Sequence, residues 1–198
     1  MTSTRTRALD AAIELLGTDG LRALTHARVD ERAGIPRGST SNYFRTRAAL
    51  LSGVSDGMLE RELADYPNVP APTTADECVD WLVVLLEHAT VRHRTLTTAR
   101  LVMFMEASHD PDLRETVSKG RAAMESWFVP TVARLGAQDP QTAAYAIAAC
   151  FEGLVLHRIA RHDDTDPRPA FELVDDLDRV EADAHLPRRE QVVQRPAH

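Results

Sequence analysis

Lysine is almost missing from this chain. Its 198 residues carry one, Lys119, and arginine supplies the rest of the basic charge. Cysteine is nearly as scarce. Cys78 and Cys150 lie far apart in apolar helical stretches, which excludes a disulfide framework and a zinc-ligand spacing; both read as small buried hydrophobes. Aromatics make up 5% and there are nine glycines, a scarcity that leans towards helices rather than sheet. Long apolar runs are absent too. The most apolar stretch, 143–156, contains Glu152 and falls short of a bilayer span. Met1-Thr-Ser-Thr-Arg5 has no apolar core of a secretory signal, so a cytoplasmic protein with no membrane partner is expected. No nucleophile motif, phosphate loop or HExxH is found. Glu106-x-x-His109 has the spacing of a di-iron ligand pair, but that chemistry needs a second pair, which is not there. His88/His93 and His157/His162 are five apart and share no α-helical face well. The expectation is a protein that is not an enzyme and needs no metal or cofactor.

What is present is helical periodicity and an uneven charge. The net charge is −7, yet residues 1–50 carry eight arginines and five acids, a surplus of three positive charges. A basic head on an acidic body suits a protein with one end against phosphates. Leu9, Ala12, Ile13 and Leu16 form one face of a first helix, ended by Asp19-Gly20. Thr25 is a candidate N-cap for a second helix that Gly34 closes. Pro36 sets the entry to a third, and Thr46 caps a fourth over about 47–64. Pro67, Pro70 and Pro72 mark a break. Thr74 to Glu77 reads as a capping box for a fifth helix reaching about Arg92, and a sixth covers about 95–108. Asp110-Pro111, Asp139-Pro140 and Asp166-Pro167 are N-cap plus proline starts for three more. The pattern predicts an all-α fold of about nine helices: a DNA-binding head over 1–50, a body over 51–187 whose last helix ends near 185–187, and a disordered tail over 188–198.

The short third helix carries the chemistry. Reading the major groove takes short donors and acceptors at a helix N-terminus, flanked by groups that grip phosphate. Arg37, Ser39, Thr40 and Asn42 offer these, and Gly38 lets backbone approach closely. Tyr43 adds a ring and a hydroxyl. Arg47 stands in the first turn of the fourth helix, where a cation is unfavourable unless a phosphate binds there. Thr25, at a helix N-terminus, can meet another phosphate, and Arg28 lies in the following turn. Ser, Thr and Asn in succession are poor helix formers without a packing reason to be there.

The stretches Ala8 to Leu16, Gly20 to Thr25 and Ala33-Gly34-Ile35 through Tyr43-Phe44 to Leu50 resemble the DNA-binding domain of the TetR family of transcriptional repressors. On that resemblance Thr25 corresponds to a phosphate-contacting threonine, Gly38 and Ser39 to the small residues opening the recognition helix, Tyr43 to an aromatic position, and Arg47 to a phosphate-binding lysine. Four positions depart from the family pattern. Thr40-Ser41 replaces a Leu-Tyr pair, Pro36 a capping Ser, and Asp30 a small Ala. The resemblance implies an all-α homodimer, double-stranded palindromic DNA as partner, and a small-molecule effector in the body.

Helix 143–156 is apolar around nearly its whole circumference and must be covered on both sides. A stripe of Phe171, Leu173, Val174, Leu177 and Val180 follows it. Gly153, Leu154, His157, Phe171, Val174 and Leu177 are the candidate contacts of a twofold four-helix interface. Trp81, His88, Met103, Phe104, Trp127, Phe128 and Phe151 are candidates to line an effector cavity, with Glu106 or Glu152 as polar anchor. The expected function is a ligand-released repressor; the alternative is a constitutive DNA-binding dimer with a filled body.

Overall fold

The computed structural model describes residues 2–64 and 71–174. Eight α-helices follow one another: α1 (Thr4–Asp19), α2 (His26–Ala33), α3 (Ser39–Tyr43), α4 (Arg47–Ala64), α5 (Ala75–Glu87), α6 (Arg94–Ala107), α7 (Pro111–Arg134) and α8 (Pro140–Ala160). A ninth helical segment begins over 168–174. There is no strand among the described residues. The break at Pro67 and Pro70, Leu177, Val180, the end of the last helix and the tail over 188–198 lie outside the described residues.

The helix starts follow from the capping residues. Thr25 accepts from Arg28 N–H, Thr74 from Glu77 N–H, Asp110 from Asp112 and Leu113 N–H, and Asp139 from Thr142 N–H. Gly34 closes α2 in the left-handed conformation, φ 61°. Arg7 from α1 donates to the Ala33 and Gly34 carbonyls, covering the same helix end with a cation.

One core holds Leu9, Ile13 and Leu16 of α1, Val29 of α2, Phe44, Leu50 and Val54 of the α4 region, and Ala99 and Met103 of α6. The head therefore has no core of its own. Its boundary, expected near residue 50, falls inside α4, and α6 completes its packing. Gly17 shows how close this packing is: a Cβ there would sit 2.2 Å from the Thr95 carbonyl oxygen. A second core joins Trp81, Leu82 and Leu86 of α5, Phe128 and Val132 of α7, Val155 and Ile159 of α8, and Phe171.

Two expectations are corrected here. The fifth helix does not stay α to Arg92. It widens into a π-helical turn over His88–Arg92, closed by a 2.9 Å bond from His93 N–H to the His88 carbonyl. The five-residue repeat of that turn brings the His88 and His93 rings to 4.4 Å, although an α-helix would separate them. Thr97 Oγ1 donates 2.7 Å to the Ala89 carbonyl, taking up an acceptor within the turn. The second correction concerns α8. It has 21 residues and is long and apolar enough, by composition alone, to cross a membrane. In the structure it packs on α5, α6 and α7 and carries His157 and Arg158 in its last turn.

Candidate DNA-binding face and body cavity

The recognition helix α3 has five residues, too few to hold itself together. Asp30 of α2 holds it. This carboxylate is 2% exposed and accepts three bonds: from Gly38 N–H at 2.7 Å, Thr40 N–H at 2.8 Å and the Thr40 hydroxyl at 2.5 Å. Burial pushes the Asp30 carboxyl up. The Thr40 hydroxyl, the Thr40 and Gly38 N–H groups and the nearby His26 together outweigh this and hold it below the usual carboxylate range. Asp30, from the preceding helix, thus supplies the cap that Gly38, the N-cap residue of α3, has no side chain to provide. At the other end His26 Nε2 lies 2.6 Å from the Phe44 carbonyl oxygen.

This anchor decides which side chains face out. Thr40 was a candidate for base contact, and the structure corrects that: it is fully buried on Asp30. Ser39 is half-buried. Arg37, Asn42 and Tyr43 are exposed, Tyr43 by 49%. Ser41 and Arg45 are exposed beside them and extend the polar face; neither was singled out in the sequence, where Ser41 stood at a position expected to carry an aromatic. Gly38 has open space around its Cα, so its requirement is conformational: φ is +85°.

The flanking candidates are only partly free. Thr25 is exposed and caps α2. Arg28 bonds Asp19 at 2.7 Å, an ion pair in solvent of small worth that a phosphate could exchange. Arg47 does not leave its charge unanswered at the start of α4. Its guanidinium donates to the Leu24 carbonyl at 2.6 Å and the Leu21 carbonyl at 3.1 Å. The helix-dipole argument for a phosphate at Arg47 is therefore corrected: backbone carbonyls already balance the cation.

Between the two cores lies a cavity of about 250 Å³, walled by α4 to α8. It brings together all seven cavity candidates: Trp81, His88, Met103, Phe104, Trp127, Phe128 and Phe151. Trp81 stacks on Trp127 at 4.9 Å and on Phe128 at 6.1 Å, giving a wall of near-parallel rings. Glu152 also lines it, and Glu106 does not. Glu62 of α4 and Arg100 of α6 are polar lining residues that helical periodicity gave no means of finding. Their oppositely charged groups approach to 3.6 Å.

Of the dimer candidates, Phe171 is corrected. It is buried in its own subunit and stacks on Phe151 at 6.4 Å. Leu154 packs partly on the second core. Val174 is half-buried and His157 exposed. A Cβ at Gly153 would meet nothing within 4 Å. Tyr145 and Leu156 on α8 stay 59% and 48% exposed.

A short polar helix braced by a preceding helix, on a helical body with an aromatic-lined cavity, is the architecture of a helix-turn-helix transcriptional regulator. Comparison with known proteins gives the family. Residues 8–54 match the TetR-family model of bacterial regulatory proteins, and residues 73–180 match the tetracyclin repressor-like C-terminal domain. The chain belongs to the TetR family. It is 29% identical over 161 residues to the HTH-type transcriptional regulator BetI of Escherichia coli O17:K52:H18, covering 77% of this chain and 80% of that one. The multidrug binding protein EbrR complexed with ethidium is 25% identical, with a TM-score of 0.71 over 88% of this chain and 98% of that one. A transcriptional regulator from Rhodococcus sp. Rha1 shares the fold at a TM-score of 0.77 and 17% identity, covering 93% and 100%.

Proposed function

We propose that the protein is a ligand-responsive repressor: a cytoplasmic homodimer that binds a palindromic operator and is released by a small effector. The head over 1–50 reads double-stranded DNA, and the body over 51–187 binds the effector and the second copy. Arg37, Ser41, Asn42, Tyr43 and Arg45 face the major groove, while Thr25, Arg28 and the spare N–H groups of Arg47 meet phosphates. The uncovered side of α8, with Tyr145, Gly153, Leu156 and His157, meets the same face of a second copy.

The observation that carries this reading is the double duty of α6. Its residues Leu96, Thr97, Arg100, Met103 and Phe104 line the cavity, and its Thr95 touches Gly17 of α1 in the head. Anything that moves α6 moves the head. A cavity of about 250 Å³ exceeds the ~150 Å³ that admits benzene and approaches the ~300 Å³ of small drug pockets. A one- or two-ring effector fits. EbrR, which binds ethidium, supports an aromatic ligand in a body of this shape. The cavity also speaks against the alternative, a constitutive dimer with a filled interior. The test is selection of duplexes from random DNA, repeated with small aromatic compounds. The expected result is a palindrome with half-sites one helical turn apart, and its loss on adding an active compound. Failure to select any duplex at low salt refutes the reading.

A further inference from the structure

The cavity wall carries aromatic and apolar side chains together with several charged ones, and among these Arg100 holds a buried donor that wants an acceptor. Arg100 reaches in from α6 with its side chain only 17% exposed. The guanidinium lies over the Phe104 ring at 5.9 Å. Its Nε–H is buried and finds no hydrogen-bond acceptor. Glu62 Oε1 lies 3.6 Å away, close enough to offset charge and too far to accept the proton. A buried donor without an acceptor is destabilising in the empty protein, and an oxygen that accepts its proton relieves this. Glu62 can leave: its side chain is 31% exposed.

We propose that the effector is an aromatic carboxylate whose rings lie against Trp81 and Trp127 and whose carboxylate takes Arg100 from Glu62. This rests on the reading of the cavity as the effector site and names the chemistry it accepts. Guanidinium and carboxylate match as a planar fork, so the anion gains a second bond that an alcohol cannot make. The exchange also cuts the α4–α6 ion pair. Because α4 begins at Arg47, directly after the recognition helix, ligand chemistry and head position meet in one contact.

The test uses three compounds with one ring system and different heads: 2-naphthoate, 2-naphthalenemethanol and 2-naphthylmethylammonium. Binding to the full-length protein is measured by calorimetry and by quenching of tryptophan fluorescence. The naphthoate should bind about tenfold or more tighter than the alcohol, with the ammonium weakest. Arg100→Met should erase the preference, weakening naphthoate far more than the alcohol, which loses one bond rather than two. Glu62→Gln removes the competing carboxylate and should tighten naphthoate alone. Equal binding of all three, tightest binding of the ammonium, or a preference that survives Arg100→Met overturns the Arg100 assignment and leaves the cavity reading standing. If none of the three binds, both fall.

Discussion

Removing the Asp30 carboxylate should loosen the recognition helix before it loosens anything else. Three donors converge on this group, two of them on Thr40, which is fully buried. Asp30→Asn keeps the volume and one acceptor but turns an NH₂ towards a backbone N–H. Hydrogen bonds to a charged acceptor are worth about 1.5–3 kcal/mol each and do not add fully. The expected loss is therefore about 2 kcal/mol for Asp30→Asn and about 3 kcal/mol for Asp30→Ala. Thr40→Val removes one bond and should lose about 1 kcal/mol. Paired with Asp30→Ala, it should lose less than the sum, since the hydroxyl has no role once its acceptor is gone. Urea unfolding followed by circular dichroism measures all four. Acid supplies an independent check. The folded-state pKa of Asp30 is lowered, so its contribution is fully present above the unfolded value of about 3.9. It is lost as pH falls through the lower folded value. Wild type and Asp30→Asn should thus differ by a constant amount above about pH 5 and converge in more acid solution. A difference that grows on acidification, or an Asp30→Asn loss under about 0.5 kcal/mol, would refute the cap.

Three further predictions concern other parts of the molecule. Gly17→Ala forces a methyl group to within 2.2 Å of the Thr95 carbonyl oxygen, so it should lose about 1–3 kcal/mol by overpacking; an unchanged melting temperature would show that α1 and α6 separate freely. Arg28→Ala should weaken binding to all duplexes and lower the salt slope by about one, whereas Asn42→Ala should relax preference at particular base pairs; identical binding profiles would merge their roles. Leu156→Arg alters a side chain that is 48% exposed in the single subunit, so thermal stability of the subunit should hold while sedimentation shows monomer in place of dimer; a persistent dimer would move the interface off this face of α8.

The helices were legible because their ends are written locally. Asp110-Pro111, Asp139-Pro140, Thr74 and Gly34 act within one turn of themselves, and all four mark boundaries found in the structure. The exposed polar face of α3 was legible in composition but not in direction. Thr40 and Asn42 look alike as neighbours in a polar run, and only Asp30, ten residues before Thr40, decides that Thr40 turns inward. The aromatic cavity residues could be found because large soft side chains at helical spacing announce a shared interior. Arg100 and Glu62 could not, because a charged residue on a helix reads as solvated until another helix covers it. The π-helical turn escaped for a related reason: nothing in His88–Arg92 departs from α-helical composition, and the widening is stabilised by Thr97, from the next helix.

The position of the cavity gives the proposed effector its leverage. Met58 and Met103, on its wall, belong to the core that carries α1, α2 and Phe44. Trp81, Phe128 and Ala144, also on the wall, belong to the core that carries α8. A ligand there does not fill a hole within one packed unit; it wedges between the unit that holds the recognition helix and the unit that holds the proposed dimer face. Packed cores resist compression, so the wedge is taken up as displacement at the seam rather than within either core. In a dimer held along α8, that displacement acts on both heads with opposite sense, and the span between them changes by more than either shift. Two recognition helices must sit about 34–36 Å apart to enter successive grooves on one face of DNA. The coupling can be no larger than the difference in ligand affinity between the two spans, and 1–3 kcal/mol is usual.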